Sequence, residues 1–225
     1  MNTDDPKLII FDWDGTLMDS TDRIVDAFLH AMGDCRLVPR ERQEIRDIIG
    51  LALPEAVDRL YPEAAPDERQ SLCRAYSAYY HTIDTPVRPY DGADRLLAEL
   101  AEAGHWMAVA TGKSRRGLDE ALEMSGLRGH FLTTRCAEES ASKPSPLMLE
   151  QILDELGREA GHATMIGDSI YDMQMAANAR MRAIGITHGV HDAPRLMAHG
   201  PICCVDDLLS LSGQLRDESV SEVQA

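Results

Sequence analysis

Apolar residues along this chain gather in short, strand-sized runs, each closed by a turn and followed by a longer stretch with helical spacing. Lys7 to Asp12 (KLIIFD) opens the pattern and stops at Asp14-Gly15, as expected of a fully buried strand that ends in a turn. Further runs are Trp106 to Ala110, Ala163 to Ile166, Arg182 to Ile186 and Ile202 to Val205. Between them, Asp91 to Ala103, Arg115 to Met124, Pro146 to Leu156 and Tyr171 to Ala179 read as helices. Strands alternating with helices predict an α/β fold with a parallel sheet covered on both faces.

One region breaks the alternation. From Ser20 to Thr82 the chain offers only helical patterns: Ile24, Ala27, Phe28 and Ala31 in one stretch, Val57, Leu60 and Tyr61 in another. Asp19 or Ser20 is placed to cap the first helix. The spacing therefore predicts a helical block, about residues 18–84, inserted into a core made of residues 1–17 and 85–213. Asp84 to Gly92, with Pro86 and Pro89, reads as the returning linker. The polar residues 214–225 are expected to be a disordered tail.

Composition narrows what such a fold can do. Hydrophobic residues make up 44% of the 225, enough for a core, and no run approaches the roughly 18 apolar residues of a membrane span. Met1 to Lys7 is polar and acidic, unlike a secretory leader, so a cytoplasmic protein with no membrane partner is expected. The five cysteines form no C-x-x-C pair, which argues against a disulfide framework or a zinc site. A formal net charge of -16 argues against nucleic acid as a partner, since phosphate backbones need clustered Lys and Arg. It leaves a small phosphorylated metabolite open, because distant surface charges are screened within about 8 Å.

Candidate chemistry lies just past the apolar runs, since open α/β sheets bind ligands at the carboxyl ends of their strands. Asp12 and Asp14 end the first run two residues apart, so both carboxylates can leave one face. Such a pair suits a division between an ionised nucleophile and a proton carrier, although Asp-Gly serves equally as a turn. Thr111-Gly112-Lys113 combines a hydroxyl, a free amide and a helix start, an anion cradle or simply a capped loop. Lys113 itself reads as a solvated charge. Lys143-Pro144-Ser145-Pro146 puts a lysine before a proline-initiated helix, where it either meets an anion or lies on the surface. Asp168 and Asp172, in the run from Gly167, are four apart and suit a hard divalent cation unless Asp168 merely caps a helix.

The order of these elements resembles the haloacid dehalogenase superfamily, in the phosphoglycolate phosphatase-like subclass with a helical cap. The motifs that carry the likeness are Asp12-x-Asp14-Gly15-Thr16, then Thr111, then Lys143, then Gly167-Asp168-x-x-x-Asp172. Leu17-x-Asp19-Ser20 and Lys143-Pro144-x-Pro146 extend it, over roughly residues 7–212. The resemblance implies a doubly wound parallel sheet and a Mg²⁺-dependent phosphatase acting on small, phosphoglycolate-like monoesters. It implies that Asp12 forms an aspartyl-phosphate, while Asp14 protonates the leaving oxygen and then activates water. Mg²⁺ would be bound by Asp12, the Asp14 main-chain carbonyl, Asp168 and, directly or through a neighbour, Asp172. Thr111, Gly112 and Lys143 would bind the phosphoryl oxygens.

The carboxylic acid at position 14 points to an oxygen leaving group rather than a halide. Arg46-x-x-x-Gly50 resembles the cap loop that faces the site. His188 and His191 lack a metal-like third partner and read as loop residues, and the methionines at 165, 173, 175 and 181 as packing. The same motifs serve a β-phosphoglucomutase-type isomerase, and a non-catalytic phospho-ligand-binding protein is a third possibility. Either a monomer or a homodimer is compatible with the sequence.

Overall fold

The computed structural model describes residues 7–221. In chain order the first elements are β1 (Leu8–Phe11), β2 (Met18–Asp19), α1 (Thr21–Asp34), α2 (Arg42–Arg46), α3 (Leu53–Leu60), α4 (Pro66–Tyr80) and β3 (Arg88–Pro89). The chain continues through α5 (Ala93–Glu102), β4 (Trp106–Thr111), α6 (Arg115–Ser125), β5 (Thr133–Cys136), α7 (Leu147–Leu156) and β6 (Ala163–Gly167). It ends with α8 (Ile170–Asn178), β7 (Arg182–Ile186), α9 (Ala193–Met197), β8 (Cys203–Val205) and α10 (Leu208–Ser221).

Six strands form one sheet in the order β5-β4-β1-β6-β7-β8, every neighbour pair parallel. The chain winds outward from β1 to β5, then returns to the other side of β1 for β6. That reversal makes the sheet doubly wound and opens a crevice at the carboxyl ends of β1 and β6. Period-two alternation splits each strand between two faces. Ile9, Phe11, Met107 and Val109 pack with Leu96 and Leu97 on one face. Leu8, Ile10, Ala108 and Met165 pack with Met148 and Ile152 on the other.

Helices α1 to α4 lie between β2 and β3 and have their own apolar centre, built from Ile24, Phe28, Ile45, Val57, Leu60 and Leu72. It joins the sheet through a two-stranded antiparallel ladder, Met18 opposite Pro89 and Asp19 opposite Arg88. The supposed linker at 84–92 thus holds a strand.

Two more elements differ from expectation. β5, Thr133–Cys136, is polar and lies at the sheet's edge, so no apolar run announced it. Beyond Gly213 the chain is not disordered as far as it is described: α10 runs to Ser221, anchored by buried Leu208, Leu211 and Leu215 at helical spacing. Residues 222–225 of the expected tail, and the stretch before Lys7, lie outside the described residues. Among the described residues no helix is long and apolar enough to cross a membrane.

Candidate active site

Strand register brings the motif residues together. Phe11 is level with Val109 on β4 and with Ile166 on β6, so Asp12, Thr111 and Asp168 emerge side by side at the carboxyl edge. The Asp12 amide donates to Ile166 O at 2.9 Å, which prolongs the ladder by one bond. At the start of α8, Ser169 is the capping residue: it accepts from the Asp172 amide, and Asp172 Oδ2 accepts from the Ser169 amide and hydroxyl. Asp168 is thereby released from capping. Its Oδ1 accepts from the Thr16 hydroxyl at 2.7 Å and its Oδ2 from the Val190 amide at 2.9 Å.

Lys143 is a buried charge, not a surface one, at 1% exposure. Its ammonium lies 2.7 Å from Asp12 Oδ1 and 2.7 Å from Asp172 Oδ1. Burial disfavours the Lys143 cation, but Asp12 and Asp172 more than reverse this and raise its pKa. Burial pushes the Asp12 carboxyl well above the ordinary range; Lys143 opposes this, while Asp172 and Asp168 add to it. Burial, then Asp172, lifts Asp168 to about 7 against the Thr16 and Val190 hydrogen bonds.

One cation does not neutralise three carboxylates. Asp12, Asp168 and Asp172 each offer an oxygen within 4.8 Å of the others, and Asp12 Oδ2 is buried with no hydrogen-bond partner. An all-oxygen donor set with an orphaned carboxylate oxygen fits a hard divalent cation.

Asp14 is held apart from this cluster. Its carboxylate accepts from Lys113 Nζ at 2.9 and 3.1 Å and from the Ser20 hydroxyl at 2.6 Å. Ser20 sits at the capping position of α1 but makes no side-chain cap bond, because its hydroxyl is committed to Asp14. Lys113 also reaches the Tyr80 hydroxyl of α4 at 3.1 Å, tying the catalytic edge to the helical block. Burial lowers the Lys113 pKa, yet Asp14 and the tyrosines win and leave it raised.

Asp12 and Asp14 open onto a cavity of about 520 Å³ roofed by the helical block. The roof is seated closely. A side chain at Gly112 would meet Gly50 O at 2.6 Å and Leu51 O at 2.5 Å, and Gly50, at φ +103°, approaches Ser169. Tyr171 Oη donates to Asp47 O at 2.8 Å, and Arg59 donates to Tyr171 at 2.7 Å across the same seam.

Comparison with known proteins agrees with this geometry. The family of haloacid dehalogenase-like hydrolases matches residues 9–186. This chain belongs to that family. It is 36% identical over 211 residues to a probable phosphatase IndB of Dickeya dadantii, covering 92% of each chain. It is 29% identical over 223 residues to a phosphoglycolate phosphatase of Agrobacterium fabrum, covering 96% of this chain and 94% of the other. The pyrophosphatase PpaX of Bacillus velezensis is 29% identical over 209 residues, 91% and 95% of the two chains. A hydrolase structure from Pseudomonas syringae has the same fold, with a TM-score of 0.87 at 23% identity over 94% of this chain and 98% of that one.

Within this haloacid dehalogenase-like framework most of the expected residues converge. Asp12, Asp14, Thr111 and Gly112 line the cavity; Lys143, Asp168 and Asp172 lie in the buried network joined to Asp12. Gly50 lines it too, but Arg46 does not: its guanidinium pairs with Asp22 at 2.6 Å on the outer side of α1. The Asp14 side chain is likewise no part of the carboxylate cluster. Thr16, Ser20 and Tyr80 were not anticipated. The first two stand inside the motif text that carried the resemblance, while nothing local marks Tyr80. The loop His188 to His191 turns out to brace the site: His188 Nε2 lies 3.0 Å from Thr16 O, and the ring stacks on Tyr90 at 3.8 Å.

Proposed function

We propose that this chain is a divalent-metal-dependent phosphatase that hydrolyses phosphate monoesters through an aspartyl-phosphate on Asp12. The observation that carries the reading is Asp12 itself, a carboxylate with one buried, unpartnered oxygen on the floor of a roofed cavity shared with Asp14. Asp12 and Asp168 would hold Mg²⁺ together with the Asp14 main-chain carbonyl, with Asp172 fixed between Ser169 and Lys143 behind them. When bound, the ion supplies positive charge that offsets repulsion between a carboxylate and a phosphate dianion.

A carboxylate oxygen of Asp12 attacks phosphorus as the ester P–O bond breaks, and Asp14 gives its proton to the departing alkoxide. Asp14, now ionised, takes a proton from water. That water oxygen attacks the phosphorus, and cleavage of the Asp12 O–P bond frees inorganic phosphate and restores Asp12. Lys143 steadies the Asp12 carboxylate it touches. Thr111 and Gly112 line the same wall and offer a hydroxyl and an amide to phosphoryl oxygens. The roof excludes bulk water while these charges move.

The test is phosphate release from a panel of small monoesters, with Mg²⁺ or with chelator, in wild type and Asp12→Asn. Metal-dependent release that falls by about 10⁴-fold or more in Asp12→Asn is expected. Release that survives the substitution would overturn Asp12 as nucleophile. Interconversion of sugar phosphates without net phosphate release would replace hydrolysis by isomerisation.

A further inference from the structure

The alcohol half of the ester has to occupy the cavity of about 520 Å³ beside Asp12 and Asp14. Its roof is carbon: Ile24, Phe28, Ile49, Leu53, Ala56 and Tyr76 line it. Phe28 and Tyr76 meet as tilted rings at 4.3 Å between centroids and Tyr76 and Tyr80 at 5.9 Å, giving a continuous aromatic wall.

Three cationic or titratable bases border the same space, Lys113, His81 and Arg116, and each already has a carboxylate beside it. Lys113 lies 2.9 Å from Asp14, while His81 and Arg116 lie 3.4 and 2.8 Å from Glu120. The Arg116 side chain is 82% exposed and marks the mouth, not the interior. Of the arginines in the helical block, Arg42 and Arg46 turn to Asp22 and Arg59 to Tyr171, while Arg23 lies over the Tyr80 ring, donates to Thr85 O and does not line the cavity. A second anionic group brought against this roof would lose water and meet only Lys113, already held by Asp14 and Tyr80, whereas an apolar body would be favoured there.

We infer that the substrate is the phosphate monoester of an uncharged alcohol with a bulky apolar or aromatic body, not a compound with a second anionic group. This rests on the phosphatase reading and deepens it. It also sets the chain apart from relatives named for phosphoglycolate and pyrophosphate, both of which carry further negative charge.

The test compares 2-phenylethyl phosphate with phosphoglycolate, two esters that both leave as alkyl alcohols, alongside pyrophosphate and acetyl phosphate. Acetyl phosphate, whose small acetyl group carries no charge until it leaves as acetate and needs no proton to do so, reports the attack on phosphorus itself. Expected is a kcat/KM at least tenfold higher for 2-phenylethyl phosphate than for phosphoglycolate or pyrophosphate, arising mainly in KM. Leu53 is half-buried and lines the roof, so Leu53→Arg should narrow that preference about tenfold by lowering KM for phosphoglycolate. Acetyl phosphate hydrolysed with phosphoglycolate or pyrophosphate equal to or better than 2-phenylethyl phosphate would overturn the inference and leave the phosphatase standing. Failure to hydrolyse any of the four would overturn both.

Discussion

The floor of the cavity is Asp12, with Lys143 and Asp172 joined to it by ion pairs and Asp168 within 4.8 Å of both carboxylates, none of the four more than 1% exposed. Its roof is a set of helix side chains that would serve unchanged as the core of any small helical bundle. The floor is electrostatically expensive and geometrically strict, because buried charges need partners at fixed distances. The roof is tolerant, since apolar packing is non-directional and depends on area and shape. On the proposed reading, one part decides whether a reaction occurs and the other which molecule reaches it.

Removing the floor's only buried cation should separate the two most sharply. Lys143→Met leaves Asp12 and Asp172 facing each other uncompensated. Phosphate release should fall by about 10³-fold and stability by about 3–5 kcal/mol, read by urea unfolding. An unchanged urea midpoint would mean that Lys143 does not compensate the two buried carboxylates.

Asp168 gives the floor a pH signature. Its carboxyl ionises near 3.8 when unfolded but at about 7 when folded, raised first by burial and then by Asp172. Between those values the folded state holds a proton that the unfolded state lacks, so this group's contribution to stability falls as pH rises and is level above about 7. In metal-free buffer, Asp168→Asn should gain on wild type in Tm from pH 4 to pH 7, by roughly 5 °C, and hold that lead at pH 8. A lead that shrinks over this range would contradict the raised carboxyl.

Lys113 stands where floor and roof meet, on Asp14 and Tyr80 together. Lys113→Ala should lower kcat about tenfold by loosening the proton donor, with phosphate release as the measurement. Arg46→Ala lies at the other extreme. Its pair with Asp22 is solvent-exposed, so activity should stay within about twofold and stability within about 0.5 kcal/mol. A large loss of activity would return Arg46 to the site.

The same division governs how much could be read from the chain beforehand. Asp12, Asp14, Thr111, Lys143, Asp168 and Asp172 follow apolar strands or begin helices, and parallel strands carry whatever ends them to one edge. Local text therefore offered these positions, each with a plain structural reading beside it, and only their joint order, through the family resemblance, singled them out. Lys113 was misread as a solvated charge because its partners, Asp14 and Tyr80, are 99 and 33 residues away. The burial of Lys143 was hidden for the same reason. Tyr76 and Tyr80 lie on a helix whose apolar spacing says only that one side is covered, not that part of it faces a cavity. β5 escaped notice because Thr133, Thr134 and Arg135 carry no apolar run, and sheet pairing with β4 overrides their weak local signal.

Residues 20–87 leave and rejoin the sheet across a ladder two residues long, with the Tyr90 amide bonded to Leu17 O just beyond it. To the sheet, all four helices amount to a single turn between adjoining points. The entropy of closing such a loop grows only with the logarithm of its length. The insertion is therefore free to be lengthened or trimmed without moving Asp12, as long as Ser20 and Tyr80 keep their bonds to Asp14 and Lys113. A lineage built this way acquires new substrates by rewriting one contiguous stretch, and inherits the reaction intact.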